Sequence, residues 1–165
     1  MLFRSDFQAV TQIGNVPNVI VVHPSVPAKS LKELVTVAKA SPGKLSYGSG
    51  GVGSGNHLAS ELFKAMAGIN LVHVPYKGAS IALTHILSGE IDCVTVTVPA
   101  TIPFLQSGKL RGLAVLSRER IAQLPNLPSS PEAGYPDLLY DSWYGVRSEE
   151  HTSELQSPCN LVCRL

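Results

Sequence analysis

The sequence predicts an α/β domain built on a mostly parallel, doubly wound sheet. Three observations predict it. Short apolar, β-branched runs alternate regularly with segments of helical period. Those runs are mostly continuous instead of alternating, the pattern of strands covered on both faces. The 14 Gly and 12 Pro among 165 residues supply many turns without forming a disordered tract.

Each element has its own signal. Residues 18–23, Asn-Val-Ile-Val-Val-His, form a buried strand ended by Pro24. Ser30-Leu-Lys-Glu33 has the capping-box form: the Ser30 hydroxyl bonds the Glu33 N–H and the Glu33 carboxylate reaches back. Leu31, Leu34, Val35 and Ala38 then make a helical stripe, which Ser41-Pro-Gly43 stops. Residues 45–48 are a second strand, and Gly48-Ser-Gly-Gly-Val-Gly-Ser-Gly55 is a loop poor in side chains. Residues 56–67 are a helix with Leu58, Leu62 and Ala65 on one face and Gly68 at its end. Strand 71–74 leads through the turn Pro75-Tyr-Lys-Gly78 to helix 79–87, which ends at Ser88-Gly89. Strand 91–96, helix 99–105 with Gly108 beyond it, and strand 110–116 follow. Residues 125–136 are rich in Pro, Ser and Asn, with one helical turn over 131–134. Residues 140–146 are extended.

Composition removes several classes of function. Basic and acidic residues number 13 and 12, a net charge of +1, so no basic surface pulls on a phosphate backbone and no nucleic-acid partner is expected. Hydrophobic residues are 44%, enough for a core, yet no apolar run reaches the ~18 residues of a membrane span. Residues 1–5 lack the apolar stretch of a signal peptide. Both ends resemble the translated read-through of a sequencing adapter, Leu2-Phe-Arg-Ser5 at one end and Arg147 to Leu165 at the other. The reading is therefore natural protein over residues 6–146, an internal fragment, flanked by adapter-derived residues 1–5 and 147–165. The tail holds Cys159 and Cys163, half of a zinc spacing with no second ligand pair. Cys93 lies inside an apolar strand and reads as a small core residue.

Ligands of open α/β sheets bind at the carboxyl ends of strands, where helix N-termini gather. Three segments lie at such ends: loop 48–57, turn 75–80 and residues 96–100. Gly48-x-Gly50-x-x-Gly53 matches the dinucleotide fingerprint formally, but residues 69–74 supply no acidic partner for a ribose. Ser54 stands where a P-loop needs Lys, and neither Ser49 nor Ser54 has Gly at both −2 and +2, as a nucleophile elbow requires. What remains is a nest of N–H donors around Gly50 and Gly55, with the Ser49 and Ser54 hydroxyls and the Asn56 amide. Such a set binds an oxyanion without reacting with it. A bare tight turn is the alternative, and five glycines with Ser and Asn exceed its needs.

His57 is a ligand contact, or with Glu61 at i+4 a metal half-site or a plain surface pair. His73, His23 and His85 read as satisfied, half-buried histidines. Tyr76 walls a pocket and Lys77 attracts an acid, or Lys77 is merely solvated; Gly78 completes that turn. Thr97 offers a hydroxyl, or serves as an ordinary β-former. Trp143 is packing or a cleft wall. The residues supply no catalytic pair, no complete metal set and no cofactor motif.

Several segments together resemble the Bug-type receptors of tripartite tricarboxylate transporters. They are Val16-Pro-Asn-Val-Ile-Val-Val-His23 continuing to Leu34, Ser41-Pro-Gly-Lys-Leu-Ser-Tyr-Gly48 continuing to Phe63, Val72-His-Val-Pro-Tyr-Lys-Gly-Ala79, and Gly108-Lys-Leu-Arg-Gly-Leu-Ala-Val115. Leu124-Pro-Asn-Leu-Pro128, Glu132-Ala-Gly134 and Ser142-Trp-Tyr-Gly145 complete the order. The resemblance implies one lobe, with hinge strands, of a type II periplasmic binding fold. It implies a non-enzymatic periplasmic receptor, monomeric at full length, that hands a small carboxylate to membrane transporter subunits. A signal peptide would lie in an N-terminal part absent here. By the same resemblance Ser49, Ser54, Asn56 and His57 match the family's polar loop and Tyr76, Lys77 and Gly78 its second loop. Val96 departs from the Asp that members often carry. The competing readings are an effector-sensing domain of a transcription regulator and a nucleotide-dependent enzyme using the Gly loop.

Overall fold

The computed structural model describes residues 7–149. Cys159, Cys163 and most of the adapter-like tail lie outside the described residues. Chain contacts divide it into two units. One contains residues 17–141, and the other contains the flanking segments up to 16 and from 142 onward.

Within the unit of residues 17–141 the elements follow the expected alternation. Strand β1 (Phe7–Val22) enters this unit at Pro17 and is followed by α1 (Leu31–Ala40), β2 (Ser46–Ser49), α2 (Gly55–Ala67), β3 (Val72–Pro75), α3 (Ala79–Leu87), β4 (Cys93–Thr97), α4 (Val98–Gln106) and β5 (Arg111–Val115). The sheet order is β3-β2-β4-β1-β5. Strand β2 pairs in parallel with β3 and β4, whereas β1 is antiparallel to β4 and to β5. Four of these five strands therefore run one way, and β1 runs against them. A continuous apolar run reads the same in either direction, so the sequence alone does not disclose this reversal.

Helices cover both faces. Leu31, Leu34, Val35 and Ala38 of α1 and Ala59, Phe63 and Ala67 of α2 pack in one cluster with Ile20, Val22 and Tyr47. Ala82 and Ile86 of α3 and Val98 of α4 pack in a second with Val19, Val21, Val94 and Val96. The alternate residues of β1 thus divide between the two cores, as strand geometry requires. The α1 cap forms: Ser30 Oγ accepts the Glu33 N–H at 3.2 Å. The Glu33 carboxylate accepts the Lys29 N–H at 2.7 Å, one residue outside the cap.

Helix α2 turns a different face inward from the one its Leu58-Leu62-Ala65 stripe suggests. Leu58 and Leu62 are 57% and 40% exposed, and Phe63 is 2% exposed with its ring edge-on to Tyr135. Ala59, Phe63 and Ala67 also recur at i, i+4 and i+8, so periodicity offers two stripes. The larger ring and the small residues that let α2 approach the sheet decide between them. The segment 131–134 makes its single turn, with the Ala133 N–H donating to Ser129 O at 2.9 Å. In the other unit, β6 (Asp141–Glu149) pairs with β1 and carries Trp143, which is 57% exposed.

Candidate functional site

Strand β2 lies between β3 and β4, parallel to both. All three lead directly into helices, so α2, α3 and α4 begin at one edge of the sheet. Their N-termini bring unpaired N–H groups and positive dipole ends to that edge. Loop 50–54 is pressed against the start of α3: a Cβ on Gly50 would sit 3.0 Å from the Ala79 backbone nitrogen. Gly51 and Gly53, at φ 127° and 79°, take conformations that disfavour side chains.

The expected nest of free N–H groups along this loop does not form. The Gly50 N–H donates to Asn56 Oδ1 at 3.2 Å, the Gly51 N–H to Ser49 Oγ at 3.2 Å and the Gly53 N–H to His57 Nδ1 at 3.3 Å. The Ser54 N–H donates to Gly51 O at 3.2 Å. The Asn56, Ser49 and His57 side chains and the Gly51 carbonyl satisfy these groups, because a compact turn brings its own acceptors into reach. The donors left over lie one step further on. Ser54 is the N-cap of α2 but makes no side-chain cap. The first backbone bond into the helix is that of the Leu58 N–H to Ser54 O. The N–H groups of Gly55, Asn56 and His57 thus have no partner among the described residues.

Asn56 supplies a further donor. It is 5% exposed. Its Oδ1 accepts from the Gly50 N–H and lies 2.7 Å from Ser54 Oγ, which fixes the amide's orientation. Its Nδ2 is buried with no hydrogen-bond partner among the described residues. A buried, unsatisfied amide costs about 1–3 kcal/mol, which singles out Asn56 as a candidate contact for a bound group.

Behind the loop stands a stack of rings. Tyr47 and His73, neighbours on β2 and β3, stack at 4.8 Å between centroids. The His57 ring lies 4.3 Å from that of His73. The Tyr47 hydroxyl donates to Glu61 Oε1, which also accepts from Lys64 Nζ at 2.6 Å. Burial first, then Glu61, push the Tyr47 phenol above its ordinary range. Lys64 first, then Tyr47, hold the Glu61 carboxyl below its usual range. Burial, and next the neighbouring His57, hold His73 below the ordinary imidazole range. His73 Nε2 lies 2.6 Å from Ser49 Oγ. The half-buried histidine is thus satisfied, and its partner is a hydroxyl of the loop. Ser49 is fully buried, so this Ser–His contact is closed to a substrate. The contact escapes sequence reading because 24 positions separate the two residues. The usable signal is that Tyr47 and His73 fall on the same face of adjacent strands.

The second loop contributes differently from the first. The Tyr76 N–H donates to Ser49 O at 2.9 Å and ties the two loops together. The Tyr76 ring stacks on His85 at 4.5 Å, packs into the second core, and brings Cε2 to 3.5 Å from where a Cβ on Gly48 would sit. Lys77 is exposed, and Gly78, at φ 139°, is the N-cap of α3. Thr97 caps α4 without a side-chain cap bond. Val96 is 4% exposed within the second core. Burial first, then Asp92, push the Cys93 thiol up to about 12. Glu61 is taken up by Tyr47 and Lys64 and makes no metal half-site with His57. Among the described residues no three His, Cys, Asp or Glu are grouped to hold a metal ion, and no helix is long and apolar enough to cross a membrane.

Comparison with known proteins places this geometry. Residues 2–155 match the model of the tripartite tricarboxylate transporter family receptor, TctC. The chain is 34% identical over 147 residues to protein BugT of Bordetella pertussis, covering 89% of this chain and 45% of that protein. It is 35% identical over 161 residues to a UPF0065 protein of Pseudomonas sp. strain P51, covering 97% and 46%. Among solved structures, R. palustris Rpa4515 with adipate superposes with a TM-score of 0.83 at 37% identity, covering 88% of this chain and 48% of that one. The periplasmic binding protein BugD superposes at 0.82 with 29% identity, covering 87% and 48%. The chain thus spans about half the length of the relatives it matches. Family-model match, curated relatives and superposition agree: the chain belongs to the TctC family of tripartite tricarboxylate transporter receptors, with the α/β fold of periplasmic binding proteins.

Proposed function

We propose that this chain is the ligand-binding lobe of a periplasmic receptor that takes a small carboxylate and delivers it to membrane subunits of a tripartite transporter. One observation carries the reading: the buried Asn56 Nδ2 lacks a partner beside the three unpaired N–H groups that open α2. That set is all donor, carries no formal charge and lies at a positive helix end, which suits one carboxylate group. The adipate bound by the R. palustris relative is an acid of this class. Ser49, Gly50 and Ser54 shape the loop and orient the Asn56 amide, and Gly55, Asn56 and His57 present donors. Gly78 and Thr97 place the starts of α3 and α4 at the same edge. Lys77 adds long-range attraction, and Tyr76 ties the second loop to the first. The receptor does no chemistry on its ligand. A monomer exported by a signal peptide and closing over the acid fits this role.

The test is a thermal-shift and calorimetric screen of the intact receptor against mono-, di- and tricarboxylates, with nucleotides as the contrasting class. Stabilisation by an acid and none by nucleotides is expected. A response to nucleotides alone would overturn the proposal.

A further inference from the structure

We infer that His73 is a positioning residue that directs hydroxyl hydrogen bonds toward Asn56, so that anion affinity at the start of α2 rises on acidification. The affinity part rests on the carboxylate reading above; the relay itself does not.

The argument is a count of protons. Ser49 Oγ accepts the Gly51 N–H and has one proton to give, with His73 Nε2 at 2.6 Å and Gly51 O at 3.2 Å as its two acceptors. Ser54 Oγ also has one proton, with Gly51 O at 2.6 Å and Asn56 Oδ1 at 2.7 Å as acceptors. Gly51 O has two lone pairs and already accepts the Ser54 N–H. It has room for one hydroxyl proton. Two arrangements of the Ser49 hydroxyl satisfy every group. In the first, His73 Nε2 is an acceptor, Ser49 donates to it, and Ser54 donates to either Gly51 O or Asn56 Oδ1. In the second, Nε2–H donates to Ser49, Ser49 donates to Gly51 O, and Ser54 is left with Asn56 Oδ1 alone.

A protonated His73 permits only the second. Asn56 Oδ1 then accepts from both the Gly50 N–H and the Ser54 hydroxyl, which polarises the amide and strengthens Nδ2 as a donor. The imidazolium charge behind the loop favours an anion as well. By linkage, a bound anion favours protonation of His73.

The groups facing His73 from the packed elements are Tyr47 on β2 and His57, Glu61 and Lys64 on α2, with Cys93 on β4 beyond Tyr47. His57 is the competitor. Its Nδ1 accepts the Gly53 N–H, so a proton there would break that bond, and the two rings are too close to be charged together without repulsion.

The experiment is a pH titration of the isotopically labelled 165-residue chain by NMR, followed by adipate binding at pH 5 and pH 8. The Asn56 side-chain amide and the Gly51 amide are expected to titrate with the His73 midpoint. The coupling should vanish in His73→Gln and persist in His57→Gln. From pH 8 to pH 5 adipate binding should gain about fivefold in the unmodified chain relative to His73→Gln, one hydrogen bond's worth, the variant carrying whatever pH dependence adipate's own carboxyls and the rest of the chain impose. Should His73→Gln fail to fold, Ser49→Ala decides: His73 still titrates and Asn56 no longer follows. Asn56 following the His57 midpoint, or not titrating, would overturn the inference. Asn56 following His73 without adipate binding at any pH would uphold the relay and overturn the affinity part.

Discussion

Asn56→Ala separates a ligand-binding role from a structural one, because the two predict opposite balances of stability and affinity. The substitution removes Oδ1 and leaves the Gly50 N–H without its 3.2 Å acceptor, a cost of about 1–3 kcal/mol. The Ser54 hydroxyl keeps Gly51 O at 2.6 Å and loses little. The same substitution removes the unpartnered Nδ2, whose burial carries a penalty of similar size, about 1–3 kcal/mol. The two nearly cancel, so the melting temperature should move by no more than about 4 °C. Affinity has no such cancellation. Loss of a hydrogen bond to a charged oxygen, about 1.5–3 kcal/mol, weakens carboxylate binding about tenfold to about a hundredfold. Calorimetric titration with adipate, alongside thermal unfolding, measures both. A variant that melts far below the parent yet binds adipate unchanged would make Asn56 a loop brace and misplace the site.

The remaining predictions address the frame around the site. Gly50→Ala should destabilise by about 1–3 kcal/mol in urea unfolding, because the new Cβ meets the Ala79 backbone at 3.0 Å; an unchanged midpoint would refute that close approach. Phe63→Ala should cost about 3–5 kcal/mol and Leu62→Ala less than about 1 kcal/mol, and the reverse order would show that the inner face of α2 is misassigned. His73 is held below its ordinary value by burial and by His57, so the unfolded chain binds the proton more readily than the folded one. Stability is then fully present above the unfolded value of 6.5. It should decline as pH falls from there toward the folded value, and His73→Gln should flatten urea midpoints across that window.

Much of this protein is legible in its residues taken in order. The Ser30–Glu33 cap, the α1 stripe and the alternation of apolar strand with helix depend on neighbours within a turn or two, where local geometry leaves few choices. The segment proposed to bear the site also stands out in the sequence, since glycines, Ser and Asn cluster there and nowhere else in that density. Which donors remain open in it is not. Folding the loop onto Ser49, Asn56 and His57 uses the N–H groups of Gly50, Gly51 and Gly53, and leaves those of the first turn of α2 and Asn56 Nδ2. The reversed direction of β1, the exposed Leu58 and the His73–Ser49 contact depend likewise on residues far apart in the chain. Sequence fixes what each short segment prefers. Only tertiary packing decides which of two equivalent faces is buried, and which polar group finds its partner inside the protein.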